Sequence, residues 1–214
     1  MTVTIALTSD FICPWCLVAH AHLQKAIAQL REPIEVEWIW HPFELNPTMP
    51  TEGITRRTYR TNKFGSWAYS QQLDAQTVQI GQASGVEFRY DLMEMTPNTL
   101  KAHRLTWLAS QSGKGHAMAE RILNAYFTEG QDIGTVETLS ILAAEVGLDG
   151  SSVREFLLSE EGTETVKALE REAFAQGVNS VPTIQIGDAV LVGGQPVEAF
   201  VTALQAATQK MEAV

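Results

Sequence analysis

Cysteine is scarce in this chain: its 214 residues contain two, Cys13 and Cys16. That excludes a small scaffold stapled by disulfides, and with no second cysteine pair a four-cysteine zinc site is also excluded. Basic residues are in deficit, with 15 Lys and Arg against 25 Asp and Glu for a net charge of -10. No Lys/Arg cluster tracks phosphates, so nucleic acid is not an expected partner. No apolar run approaches membrane-spanning length, and no membrane partner is expected. Met1 to Asp10 has no basic n-region, no long apolar h-region and no small-residue cleavage site, so no signal peptide is expected either. With export unsupported and no cysteines left over for structural bridges, the expected location is a reducing cytoplasm. Internal repeats and low-complexity tracts are missing. What remains is a chain with 45% hydrophobic and 19% charged residues, enough for one good core in a soluble globular protein whose acidity serves solubility.

The two cysteines stand at an informative place, in Cys13-Pro14-Trp15-Cys16. The run before them, Val3-Thr4-Ile5-Ala6-Leu7, is β-branched and apolar, whereas Leu17 to Leu30 is rich in Ala, Leu and Gln at helical spacing. Cys13 is therefore expected at a helix N-terminus, where unpaired backbone N–H groups and the positive end of the helix dipole favour a thiolate, the reactive form. Cys16 lies three residues on, so one helical turn brings its sulfur back beside Cys13, close enough to close a disulfide or resolve a mixed one. Two cysteines at this spacing also make half a zinc site. The five histidines would have to supply two further ligands. His20, one turn beyond Cys16, is the best of them, while His22 points to another face of the same helix. The ligand shortage favours redox chemistry, and no metal is expected.

Along the chain, Val3 to Leu7, a helix from Pro14 to Leu30 and Ile34 to Trp40 form a β-α-β unit, with Pro33 marking the turn into the second strand. A parallel pair with a right-handed crossover follows. Near the other end, Thr183 to Ile186 and Ala189 to Val192 are short strands joined at Gly187-Asp188, a tight hairpin signal, and Pro196 to Lys210 is a closing helix. Between these pieces the periodicity is helical over Asn62 to Gln82, Asn98 to Gln111, Lys114 to Phe127, Thr135 to Glu145, Ser151 to Leu158 and Gly162 to Ala175. Gly113, Gly147 and Gly177 fall where such helices stop. The expected architecture is α/β: a first part over 1–61, an all-helical insertion over 62–176 and a second part over 177–214.

Ser180-Val181-Pro182-Thr183 opens the late strand. Proline is tolerated at a strand start because its missing N–H is not needed there. The alternative is a cis peptide between Val181 and Pro182, a turn that would expose Val181 backbone groups beside the cysteines for pairing with an extended peptide.

Taken together, a strand, C-P-W-C at a helix start, a helical insertion and S-V-P-T before a β-β-α ending resemble the thioredoxin fold of the DsbA-like family. The FrnE-type cytoplasmic branch looks closest, through His41-Pro42-Phe43-Glu44-Leu45-Asn46-Pro47, Ala102-His103-Arg104-Leu105, Phe127 with Gly130, and Gly193-Gly194-Gln195-Pro196. The likeness covers nearly the whole chain; the P-F-E-L-N-P segment is more branch-specific than the C-x-x-C with a distant V-P. The resemblance implies a thiol–disulfide oxidoreductase or disulfide isomerase, with Cys13 as nucleophile, Cys16 as resolving thiol, Pro182 in cis, and Pro14, Trp15, Val181 and Pro182 shaping the substrate site. Protein thiols and disulfides, or glutathione, would be its partners, with no tightly bound cofactor and glutathione as reductant or co-substrate. Pro-Trp replaces the Gly-Pro of thioredoxin, and Trp15 stands where DsbA has a histidine. The expected redox potential therefore lies between theirs, roughly -270 and -120 mV.

Other residues have plainer readings. His41 at a strand end is a structural hydrogen-bonding residue. Glu44 is either a cap for the Asn46-Pro47 turn, the favoured reading, or a buried proton acceptor for Cys16. Phe64, Trp67, Tyr69 and Trp107 are expected chiefly to fill core, a substrate-facing subset being the alternative, while Asn98 and His103, five apart on a helix, face the site cleft unless Asn98 serves, as it equally well could, as an N-cap. Two other functions compete. One is glutathione-dependent chemistry on a small molecule, as in the related 2-hydroxychromene-2-carboxylate isomerase and kappa-class transferase branches, which typically carry serine at the nucleophile position and lack the second cysteine. The other is a peptide-binding or zinc-held module in which the thiols are incidental.

Overall fold

In a computed structural model describing residues 2–212, the first strand, β1 (Thr2–Ser9), leads into α1 (Pro14–Ala28) and returns as β2 (Glu35–Pro42). β1 and β2 pair in parallel, Ile5 opposite Trp38. The chain comes back to this sheet only at β5 (Thr183–Ile186) and β6 (Ala189–Val192), both antiparallel to their neighbours, giving the order β2-β1-β5-β6. The last helix is α9 (Val197–Glu212). On β1 the side chains alternate as the pleat requires, Val3, Ile5 and Leu7 inward and Thr2 and Thr4 outward. The inward set meets Ala19, Leu23 and Ala26 of α1, Ile184 and Ile186 of β5, and Phe200 and Leu204 of α9 in one core.

Seven helices stand between β2 and β5 among the described residues: α2 (Arg56–Phe64), α3 (Trp67–Ser84), α4 (Leu100–Ser110), α5 (Gly115–Glu129), α6 (Val136–Glu145), α7 (Gly150–Leu158) and α8 (Thr163–Ala175). Their apolar faces build a second core around Leu105, Met118, Ile122, Phe127, Leu139 and Leu142. Phe11, Leu17 and Val18 belong to this second core while Ala19, Leu23 and Ala26 belong to the first. The cysteine-bearing helix is therefore gripped on two faces, and Trp40 of β2 touches both cores. None of the described helices is long and apolar enough to cross a membrane.

The single helix expected over Asn62 to Gln82 is two. Gly65, at φ +84°, ends α2 in the left-handed conformation, and Ser66 restarts the chain by accepting from Tyr69 N–H. The first of the two also starts earlier, at Arg56, capped by the Thr55 hydroxyl. A two-stranded ribbon, β3 (Ile54–Thr55) with β4 (Met95–Thr96), was not expected, because two-residue strands carry no readable period. The aromatics of the α2–α3 arm do not fill core. Tyr69 is exposed, and half-buried Phe64 and Trp67 lie against Arg60 and Arg56, because the buried centre of this arm is the Arg56–Asp74 ion pair at 2.8 Å. Trp107, by contrast, packs on the second core.

Candidate active site

After Ser9 the chain leaves the sheet through Asp10-Phe11-Ile12. The Asp10 carbonyl accepts from Cys13 N–H at 3.2 Å, closing a turn that sets Cys13 as N-cap of α1 and Pro14 in its first turn. Proline suits that position, since its absent N–H is one the helix cannot use. Cys13 and Cys16 are both free thiols, 5% and 3% exposed, and their side chains lie within hydrogen-bonding reach. The Cys13 thiol donates to the carbonyl of Val181 at 3.6 Å. Val181–Pro182 is a cis peptide bond, and the Pro182 carbonyl accepts from Gly193 N–H at 2.8 Å, tying the start of β5 to the segment after β6. Cys13, Pro14, Trp15 and Cys16 thus stand at the N-terminus of α1, with the Val181–Pro182 peptide beside Cys13.

Trp15 is 37% exposed and lies close against Gly194, where a Cβ would come within 2.8 Å of the indole. His22 fixes the same segment: one ring nitrogen contacts the Gln195 carbonyl at 2.7 Å and the other the Ser84 hydroxyl at 2.6 Å. The G-G-Q-P stretch is held against α1 from both ends by these contacts.

The two thiols differ in environment. Burial pushes the Cys16 thiol well above its ordinary pKa, and the hydrogen bond and charge of Cys13 push it the same way. Ser9, whose buried hydroxyl has no other partner, and the Asp10 backbone act in the opposite sense. Beneath the turn, fully buried Asp10 places one carboxylate oxygen 3.3 Å from His103 Nε2, and its other oxygen accepts from Leu45 N–H at 2.7 Å. Asp10 thus holds the backbone just before the Asn46-Pro47 turn, which closes on its own bond from Met49 N–H to the Asn46 carbonyl; the Glu44 side chain makes no hydrogen bond to that turn among the described residues, contrary to its favoured reading as the cap. Asn46 is held separately, by the Tyr59 hydroxyl. Glu44 is half-buried, and burial first, then Glu170, raises its pKa to about 7. Glu170 is raised too, again chiefly by burial. His41, whose pKa burial lowers, faces a cavity of about 240 Å³ with Thr8, Glu172, Ser180 and Thr183. Asn98 is not the N-cap of α4, which is Thr99; it stands one residue earlier, its side-chain oxygen accepting from Leu100 N–H in an Asx turn while its amide donates to the Met49 carbonyl.

Asp10, Ser9 and Glu170 went unselected in the sequence. Asp10 was findable, three residues before Cys13 at the end of an apolar strand; nothing local marks Glu170, 126 residues after its neighbour Glu44.

The DSBA-like thioredoxin domain matches residues 4–205, and the chain belongs to that family. It is 33% identical over 95% of its length to YwbO of Bacillus subtilis, an uncharacterized protein, of which the match covers 96%. Its fold is similar to the crystal structure of the probable DsbA oxidoreductase SCO1869 of Streptomyces coelicolor, at TM-score 0.86 and 30% identity, covering 97% of this chain and 90% of that one. It also resembles the cytosolic disulfide reductase DsbM of Pseudomonas aeruginosa solved with GSH, at TM-score 0.63 and 20% identity over 98% of each chain, a likeness of fold alone.

Proposed function

We propose that this protein is a cytoplasmic thiol–disulfide oxidoreductase or disulfide isomerase of the FrnE-type branch, working on protein or glutathione disulfides through Cys13 and Cys16. The observation that carries the reading is the position of the Cys13 sulfur at the N-cap of α1, 3.6 Å from the Val181 carbonyl. In reduction, the Cys13 thiolate attacks one sulfur of the substrate disulfide, and the other sulfur leaves with its electron pair and takes up a proton. A mixed disulfide remains. Cys16 then loses its proton and attacks the Cys13 sulfur, releasing the second substrate thiol and leaving Cys13–Cys16 oxidised by two electrons. A thiol such as glutathione restores the dithiol; run backwards, the same steps donate a disulfide.

The asymmetry of the pair fits this order of events. Cys13 stands at the N-terminus of α1, while burial holds the Cys16 thiol protonated and the hydrogen bond and charge of Cys13 add to this until Cys13 is bonded elsewhere. Ser9 is placed to stabilise the Cys16 anion as it forms. The Val181 backbone offers an extended polypeptide a strand-like partner beside the reacting sulfur. Pro14, Trp15 and Pro182 shape the surrounding wall. Cys16 weighs against glutathione-dependent small-molecule isomerisation, which needs no resolving thiol. The branch assignment rests on the H-P-F-E-L-N-P segment, and a cytosolic location has support in the fold shared with DsbM.

The test is insulin reduction and refolding of scrambled disulfide substrates, with the potential of the pair measured in glutathione buffers. Cys13→Ser is expected to abolish both activities, and Cys16→Ser to accumulate mixed disulfides. Full activity of Cys13→Ser would end the reading. Turnover of an aromatic substrate by Cys16→Ser with saturable glutathione binding would replace it by the small-molecule one.

A further inference from the structure

Away from the thiols, α1 and α5 face each other through two pairs of residues at helical spacing, His20 with Gln24 and His116 with Glu120. His20 Nε2 lies 3.5 Å from His116 Nε2, and the Gln24 side-chain amide nitrogen lies 3.5 Å from the first and 3.4 Å from the second. These three atoms form a nearly equilateral triangle. As hydrogen bonds its edges are poor, longer than the roughly 2.7–3.2 Å of an N–H donor to its acceptor. As one face of a coordination tetrahedron they fit: a regular tetrahedron of edge about 3.4 Å has its centre about 2.1 Å from each vertex, the bond length of zinc to imidazole nitrogen or side-chain oxygen. A flip of the Gln24 amide, whose oxygen and nitrogen are interchangeable by a half-turn, puts the oxygen at its vertex.

The fourth vertex has a candidate. A carboxylate oxygen of Glu120 and the two imidazole nitrogens all lie within 4.8 Å of one another, so a small rotamer adjustment closes the set. Among the described residues, this group contains neither cysteine. His20, the histidine nearest in sequence to the thiol pair, turns toward α5. The His116 ring is held by Trp38, stacked on it at 3.8 Å and 7°, and its Nδ1 is buried without a partner, so Nε2 carries its polar contacts. His116 and Glu120 are half-buried, leaving an ion a way in from solvent.

We propose that His20, His116 and Glu120, with Gln24 completing the shell, form a binding site for a divalent transition metal of the zinc type, clamping the thiol-bearing α1 to α5. Nitrogen and oxygen donors in tetrahedral array suit zinc and cobalt better than calcium or magnesium, which take more ligands, mostly oxygen. The expectation of no metal rested on the cysteine pair as ligands, and this site uses neither thiol. It stands independently of the disulfide chemistry proposed above.

The test is titration of zinc by calorimetry, and of cobalt(II) by visible absorption, into the full chain with Cys13 and Cys16 closed as their disulfide so that no thiolate competes. One equivalent with the intense d–d bands of tetrahedral cobalt is expected. Glu120→Gln should weaken binding about tenfold or more, and His116→Ala should abolish it. Circular dichroism checks that His116→Ala is folded; if it is not, Glu120→Gln and Gln24→Ala decide. Absence of binding, undiminished binding in these variants, or binding seen only in the reduced protein with a thiolate-to-cobalt charge-transfer band would overturn the site.

Discussion

Arg104 offers a severe test of how the helical block is held together. Its guanidinium is buried and has no carboxylate at hydrogen-bond distance among the described residues; it donates instead to the carbonyls of Phe156 at 2.9 Å, Ser159 at 2.8 Å and Glu161 at 2.9 Å, with a longer contact to Leu157. These lie at and just past the C-terminus of α7, the negative end of that helix, so backbone dipoles supply the counter-charge. Its flat face also covers the Phe156 ring at 5.0 Å. Replacing it with Met keeps most of the apolar stem. Three charge-assisted bonds at ~1.5–2 kcal/mol each come to about 5 kcal/mol. Those values are already net of desolvation, so the loss is about 5 kcal/mol, a fall in Tm of roughly 10–20 °C at the ~2–4 °C per kcal/mol of a chain this long. Arg104→Lys should recover little, since one ammonium cannot reach three diverging carbonyls. Calorimetric melts read both variants, and thiol reactivity at 25 °C should be unchanged because Arg104 does not touch the cysteines. A Tm drop below about 2 °C for Arg104→Met, or a lysine variant as stable as the parent, would refute the carbonyl-cage argument.

Other outcomes follow from the same geometry. Iodoacetamide should alkylate Cys13 faster than Cys16 at pH 7, because burial together with the hydrogen bond and charge of Cys13 holds the Cys16 thiol protonated, with the order read by mass spectrometry of peptides. For Glu44 the folded-state pKa is raised to about 7, so the stability it contributes is fully present below its ordinary value near 4.5 and is lost as pH rises through about 7. Glu44→Gln should therefore match the parent in urea melts at pH 4 and exceed it at pH 8.5, by no more than about 1 kcal/mol because the group is half-buried and screened by solvent; a variant weaker at pH 8.5 would contradict the sign. Gly130 sits at φ +69°, where an added Cβ would come within 2.7 Å of the Leu92 carbonyl oxygen, so Gly130→Ala should cost about 2–4 kcal/mol in urea melts with an unchanged m-value.

Much of the molecule was legible because its signals are local. The alternation of Val3, Ile5 and Leu7, the proline after Cys13 and the Gly187-Asp188 turn each report on a few neighbouring bonds, and β5 and β6 have the expected bounds. The break at Gly65 was also local, but the periodicity on either side of it is continuous enough to hide a single residue that must turn left-handed. The thiol pair was legible for the same reason, since two cysteines one turn apart at a helix start need nothing distant to define them.

What only the tertiary structure decided is which distant residues surround that turn. Val181 reaches Cys13 because β5 pairs with β1, and His103 reaches Asp10 because α4 packs its buried face beneath the same turn. His20 meets His116 because Leu17 and Val18 anchor α1 in the helical core. Each of these contacts joins residues about a hundred or more positions apart, and its existence depends on how two cores share one helix. By itself the sequence determined that the only two thiols stand one turn apart at a helix start. The fold determined the thiols' unequal environments, because burial and the company of distant charges arise only when the chain has closed around them.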